Sequence, residues 1–359
     1  MKRLLTILVL VAFVAGFGFT GGQGEGEAPM SERTEATPSK YHPPLGMVPV
    51  PEEEIRIGVL VKTLINDFWL DLKNGYEDAA AEYGVSVQVF AAPSEGDLLV
   101  QKQILDDMVA QEFDVIIVSP ITDSNLLPGL AAATEAGIPI INVIDAYINP
   151  ELQARHNIEI ATFISTDFAE NTRLAVDYVA ELLGDDGGEI MHIMGLPGNP
   201  SAEDRRRGYE EQVAEYPQLE SIGVWPGDWD RAKSMNVAAD VLQSNPNLKA
   251  IVGANDTIAL GALQAVRNAG KEDQVIVAGV DAIPDAIRSI MDGGLVSTVA
   301  FFQYQAAYTA VEVALQINAG TFDADAHEEI YVFQEVWHAD NIEEKVDEYR
   351  DQYVGLQDF

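Results

Sequence analysis

The 359-residue sequence predicts an α/β protein of two lobes, each a doubly wound parallel sheet covered by helices. Three observations lead there. From residue 55 onward, short apolar runs alternate with helical patterns, as strand–helix–strand units do. The runs are continuously apolar rather than alternating, which is the mark of strands buried on both faces. There are also more of them than one sheet of this type usually carries.

The elements follow in order. A first strand over 55–61 stops at Lys62, and after a short turn Asn66, Asp67, Phe68 and Trp69 open a helix over 68–83. Strand 86–91 precedes helix 98–111, strand 115–119 precedes helix 124–136, and strand 138–144 follows. Gly84 and Gly137 end the first and third helices, where a left-handed residue is expected. Asp123 and Ser124 are placed to cap the third. Residues 147–159 are the first irregular interruption and a candidate crossover between lobes. Strands 162–165, 189–194, 221–225, 250–252 and 275–280 then alternate with helices 170–183, 202–215, 231–243, 256–268 and 284–291. Ser201, three residues before Asp204, offers a cap for the helix after the second of these strands, and Gly270 ends the fourth helix. After strand 296–300 come a helix over 305–318, a strand over 330–336 and a last helix from 341. The chain thus returns to both lobes at its end, and the lobes are not sequential.

Composition narrows the function. Lysine plus arginine is 21 against 58 aspartate plus glutamate, a net charge of −37, which argues against nucleic-acid binding and reads as a solvated acidic surface. No cysteine is present, so disulfides, thiolate nucleophiles and a lipid-acceptor cysteine are excluded. The five histidines have no ligand spacing, and neither a metal nor a cofactor is expected. Lys2 and Arg3, the apolar run 4–19 and small residues at 20–22 read as an export signal over 1–22, with a retained anchor as the alternative. Residues 23–54, rich in Gly, Glu, Pro and Ser, read as a disordered linker.

Several predicted strands end in polar or aromatic residues where a core would not place them. Asp145 follows strand 138–144, Arg205 lies early in a helix after a glycine-rich loop, and Trp229 lies in WPGDWDR. Asn255 and Asp281 follow IVGA and VIVAGV, and Phe301 follows VSTVA. Taken singly, the carboxylates and the amide read equally as caps or turn residues, and Trp69 and Trp229 as core. Together they lie at strand carboxyl ends, where open α/β sheets bind ligands, and one cleft between two lobes would collect them. Aromatic faces suit the C–H surfaces of a sugar ring, while amides, carboxylates and a guanidinium suit its hydroxyls. No GxSxG, GxxxxGK[ST] or strand-borne GxGxxG motif accompanies them, so the inventory is one of binding and no enzyme is expected. The irregular glycine-rich stretch 195–200 reads as a hinge-side turn.

At these residues the sequence resembles the ribose-binding-like substrate-binding proteins of bacterial ABC sugar transporters. IGVLVKTLINDFWLDLKNG resembles the family's first strand and helix, and AGIPIINV, SAEDRRRGY, NDTIALGALQAV and VIVAGVDAIPDA resemble later signatures in order. By motif, Asn66, Phe68 and Trp69 fall on a polar contact and stacking aromatics. Asp145, or its neighbour Ile144, falls on an acidic contact. Arg205 matches the sugar-binding arginine, counted back from Gly208–Tyr209. Trp229 matches the aromatic before Asp230–Arg231, and Asn255 and Asp281 match the amide and carboxylate of the second lobe. Two positions depart from ribose binders: Lys62 replaces a small hydroxyl residue and Phe301 replaces a frequent glutamine. Lys62 reads either as a solvated lip residue or as a ligand contact.

The resemblance implies a type I periplasmic-binding fold with three crossover hinge segments. It divides the chain into an N-terminal lobe (55–162 and 302–329), a C-terminal lobe (163–301 and 330–345) and a tail (346–359). It implies a monomer of the periplasm or cell envelope that captures a monosaccharide or polyol and delivers it to an ABC permease at the inner membrane. The alternative is a sensory protein presenting its sugar to a chemoreceptor or kinase. The sugar-sensing core of lactose-repressor-like regulators shares the fold, but an export signal and acidic linker stand here in place of a DNA-binding segment.

Overall fold

The computed structural model describes residues 35–353; the expected export signal lies outside them. The chain forms two six-stranded sheets with helices on both faces. In order the elements are β1 (Thr37–Pro38), β2 (Met47–Val48), β3 (Arg56–Val61), α1 (Asp67–Tyr83), β4 (Ser86–Ala91), α2 (Leu98–Val109), β5 (Val115–Val118), α3 (Leu127–Glu135), β6 (Ile140–Val143), α4 (Pro150–His156) and β7 (Thr162–Ser165). Then come α5 (Phe168–Leu183), β8 (Gly188–Met194), α6 (Pro200–Glu215), β9 (Leu219–Pro226), α7 (Arg231–Ser244), β10 (Leu248–Gly253), α8 (Asp256–Asn268), β11 (Ile276–Val280), α9 (Pro284–Met291) and β12 (Ser297–Ala300). Helix α10 (Gln303–Asn318), β13 (Glu329–Tyr331), β14 (Glu335–His338) and α11 (Ile342–Tyr349) complete it.

The first sheet runs β13-β7-β6-β5-β3-β4, all parallel, and the second β14-β12-β11-β10-β8-β9, parallel except for β14. Their central strands are buried along almost their whole length, as their apolar composition requires. The returning chain is divided more finely than its apolar run suggests. The expected strand 330–336 is two strands: β13 closes the edge of the first sheet and β14 that of the second. The first sheet also keeps β7. The lobe boundaries therefore shift, to a first crossing after Ser165, a second between Ala300 and Gln303, and a third between Tyr331 and Glu335. Thr166 donates from its hydroxyl to Gln334 at 2.7 Å, tying the first crossing to the third.

The interruption at 147–159 is not a crossover. It carries α4, capped by the Asn149 side chain and closed by a left-handed Asn157, and it connects two neighbouring strands of one sheet. Helix α6 is capped by Asn199 rather than Ser201, and α3 has no side-chain cap from Asp123 or Ser124.

The described part of the expected linker, 35–54, is ordered. β1 and β2 pair antiparallel, and Leu45 and Val48 enter the core. Glu312 on α10 anchors this strap: its buried carboxylate accepts from the Ser39 hydroxyl, the Lys40 amide and the Tyr83 hydroxyl at 2.5, 2.9 and 2.6 Å. Gln316, one turn on, donates to the carbonyls of Leu45 and Met47. Composition hid this because the partners are more than 200 residues away in sequence. The tail is likewise packed as far as it is described. Val346 and Tyr353 are buried, Tyr353 lying against Trp337 and Phe302 beside the second crossing.

Candidate functional site

The carboxyl ends of the parallel strands of both sheets meet at one cleft between the lobes, as the geometry of open parallel sheets provides. There they line a partly open pocket with about 320 Å³ of space among the lining atoms, open solvent included. Lys62 follows β3, Asn66 caps α1, and Phe68 and Trp69 lie in its first turn; Asp145 lies just beyond β6. From the second lobe come Arg205 on α6, Trp229 after β9, Asn255 after β10 and Asp281 after β11. Nine of the ten residues singled out by sequence thus line one cavity, separated in the chain by up to 219 positions (281 − 62).

Phe301 is the tenth and is not among the lining side chains. It is fully buried behind them, its ring 5.4 Å from Phe68, 6.0 Å from Phe168 and 5.9 Å from the Arg205 guanidinium. It supports the wall from behind rather than forming it.

Lys62 is not a solvated lip residue. It is 1% exposed, its ammonium is 2.5 Å from the Asp145 carboxylate, and it stands 5.8 Å from the Trp69 ring centroid. Arg205 makes the equivalent arrangement in the other lobe. Its guanidinium donates to Asp281 at 3.2 Å and lies over Phe168 and Trp229 at 4.9 and 5.4 Å. Each lobe thus contributes one buried cation, one paired carboxylate and aromatic faces. Asp145 Oδ1 and Arg205 Nε have no hydrogen-bond partner in the protein, a costly state that a polar ligand relieves.

The two asparagines satisfy both readings. Asn66 Oδ1 accepts from the Phe68 amide and Asn255 Oδ1 from the Ile258 amide, so each caps a helix. Each amide then keeps its NH₂ end for a carboxylate, Asn66 toward Glu95 and Asn255 toward Asp281. Burial pushes the Asp281 carboxyl up to about 7, against the lowering effect of Arg205 and with a further rise from Glu95.

Backbone strain gathers at this cleft. Ile144, Ala146, Asp228, Trp229, Asp281, Ala282 and Phe302 all have positive φ without being glycine. The cost is met where the turn aims a side chain: Asp281 is held by its amide donating to Val299 O and by the Ala282 amide donating to Thr298. The Trp229 ring lies against Gly195, where a Cβ would come within 2.0 Å of it. The stretch 195–200 thus backs the Trp229 ring at Gly195, and Ser201, just beyond it, lines the cavity.

Three lining residues were not singled out as contacts, Glu95, Phe168 and Ser201, and Ile144, named as the alternative to Asp145, lines the cavity beside it. Glu95 follows the carboxyl end of β4 and was open to the same strand-end argument. Its carboxylate accepts from Trp69 Nε1 at 2.8 Å. Phe168 opens a helix just past the first crossing and has no local signal. Among the described residues no cluster of His, Cys, Asp or Glu is arranged to hold a metal, and no helix is long and apolar enough to cross a membrane.

Comparison with known proteins bears on this geometry. Residues 57–321 match the model of the periplasmic binding protein domain. The chain is 40% identical over 261 residues to the D-allose-binding periplasmic protein of Escherichia coli K12, covering 73% of this chain and 83% of the relative. It is 30% identical over 265 residues to the ribose import binding protein of the same organism, covering 74% and 85%. Among solved structures, an ABC transporter periplasmic solute binding protein from Actinobacillus succinogenes 130z with bound D-allose superposes with a TM-score of 0.77 at 27% identity, covering 81% of this chain and all of that one. One from Bacillus halodurans with bound myo-inositol gives 0.73 at 26%, covering 84% and 99%.

Proposed function

Because the chain belongs to the periplasmic binding protein family, we propose that it is an exported solute-binding protein. It captures a monosaccharide or polyol between its lobes and delivers it, as a monomer in the periplasm, to an ABC permease. The observation that carries this reading is the gathering in one interlobe cleft of paired cations and carboxylates, two helix-capping amides and aromatic faces from both lobes. Its relatives are binding proteins rather than enzymes, and binding is what this constellation does.

The mechanism follows from where the groups stand. Ring C–H faces pack on Phe68, Trp69 and Trp229. Hydroxyls donate to Asp145 and Asp281 and accept from Lys62, Arg205 and the asparagine NH₂ groups. Since the groups are split between lobes, they act on one ligand only when the lobes are together. The ligand therefore favours the closed state by its differential affinity for it. The three crossings supply the hinge.

D-Allose and D-ribose, the sugars named for its relatives, are the first ligands to test by calorimetry. Binding of at least one is expected. Arg205→Ala should remove about 2–5 kcal/mol of the binding free energy, since it truncates a buried charge contact. Retention of full affinity by that variant, or no heat with any aldose or polyol, overturns the reading.

A further inference from the structure

The charged groups lining the cavity do not balance. Lys62 faces Asp145 and Arg205 faces Asp281, each pair in contact at 2.5 and 3.2 Å. Glu95 is a third carboxylate on the same wall; it accepts hydrogen bonds from neutral donors, Trp69 Nε1 at 2.8 Å and the Asn66 amide, and Lys62, already paired with Asp145, acts on it through space. Once ionised, as at the pH 8 of the test below, the three carboxylates outnumber the two cations that line the space. Nothing behind the wall corrects this. Asp256 is engaged with Thr298 and the Ile283 amide, and Asp71 accepts from Gln303. Glu95 is also positioned by the aromatic platform itself, because the indole N–H that fixes the carboxylate belongs to the ring expected to carry the sugar.

We propose that Glu95 is the charge filter of the cleft, admitting neutral or amino sugars and rejecting uronic acids and sugar phosphates. This deepens the sugar-binding reading and rests on it. A lysine in the site by itself invites an oxidised, anionic ligand, but this lysine is already neutralised by Asp145 and a surplus carboxylate stands beside it. In an enclosed, poorly solvated space an added anion meets unscreened repulsion, whereas a hydroxyl donor or an ammonium meets an acceptor. Burial raises the Glu95 carboxyl, with Asp145 adding to the rise and Lys62 opposing it, as expected for a carboxylate without a cation of its own.

The test is an isosteric charge series measured by calorimetry at pH 8: D-allose, its 6-carboxylate and its 6-amino-6-deoxy analogue. The wild type should bind the neutral and amino forms and bind the carboxylate at least about 100-fold more weakly, a difference of about 2.8 kcal/mol. Glu95→Gln keeps an oxygen for Trp69 and removes the charge, so it should narrow the neutral-to-carboxylate ratio about tenfold or more. Equal affinity of the wild type for the neutral and carboxylate forms overturns the proposal, and that arm needs no variant. So does an unchanged ratio in Glu95→Gln when that variant still binds D-allose. If D-allose, D-ribose and the charged analogues all fail to bind wild type, the sugar reading itself falls and the proposal with it.

Discussion

The carboxyl of Asp281 is pushed up to about 7 by burial, while the same group in an unfolded chain titrates near 3.8. Between these values the folded protein holds a proton that the unfolded chain has released. The stabilisation linked to it is complete below about pH 4 and lost as pH rises through about 7, on the order of 4 kcal/mol in all. Glu95 and Glu312 are raised by burial in the same direction. The ligand-free protein should therefore lose thermal stability between about pH 4 and 7, and Asp281→Asn should flatten part of that slope. Sugar binding should run the other way and tighten over the same range, because a hydroxyl donates to the ionised carboxylate. Scanning calorimetry with and without sugar reads both, and an Asp281→Asn slope equal to wild type would refute the assignment. This behaviour was not legible in the sequence, where Asp281 read equally as a turn residue, whereas its place at a strand end was.

At the scale of elements, the site depends on how closely helices approach. Arg205 lies one turn before Gly208, and a Cβ on Gly208 would come within 2.1 Å of the Ala169 carbonyl on α5. Gly208→Ala must push α6 away from α5, at a cost typical of overpacking, about 1–3 kcal/mol. The guanidinium moves with its helix, so sugar affinity should fall together with the melting temperature. Gly137→Ala is the control. It is strained by its φ of 73° but meets nothing within 4 Å. It should cost roughly 1–2 kcal/mol of stability and leave affinity unchanged. If Gly208→Ala leaves affinity unchanged as well, α5 does not set the position of Arg205. The glycine ends of the helices could be read in advance because a left-handed residue is a local requirement. The close approach at Gly208 could not, since it is a property of two helices.

For the molecule as a whole, closure has a contribution that does not pass through the ligand. Asn199 caps α6 in the C-terminal lobe, and its NH₂ group donates across the cleft to the Ile121 carbonyl at 2.7 Å. On the N-terminal side the Ile121 amide donates to the buried Gln101, which fixes that carbonyl in place. This contact stabilises the closed arrangement by about 0.5–1.5 kcal/mol. Asn199→Asp keeps an oxygen to cap the helix but turns a carboxylate toward the carbonyl. Scattering should show a larger radius of gyration for the ligand-free variant, and its sugar should dissociate up to about tenfold faster. An unchanged dissociation rate would show that the lobes close without this contact.

The sequence by itself determined the α/β class, the two interleaved lobes and nine of the thirteen residues that line the cavity. These rest on local signals: continuous apolar runs, helix ends, and polar residues placed where parallel strands stop. Tertiary structure decided the rest. It divided the last apolar run between two sheets, made the strap at 35–54 a packed segment through Glu312, and moved Phe301 behind the wall. It also paired Lys62 with Asp145, leaving Glu95 as the surplus charge. A residue's partner, unlike its propensity, is fixed by chain far away in sequence, so burial and charge balance become legible only once the two lobes face each other.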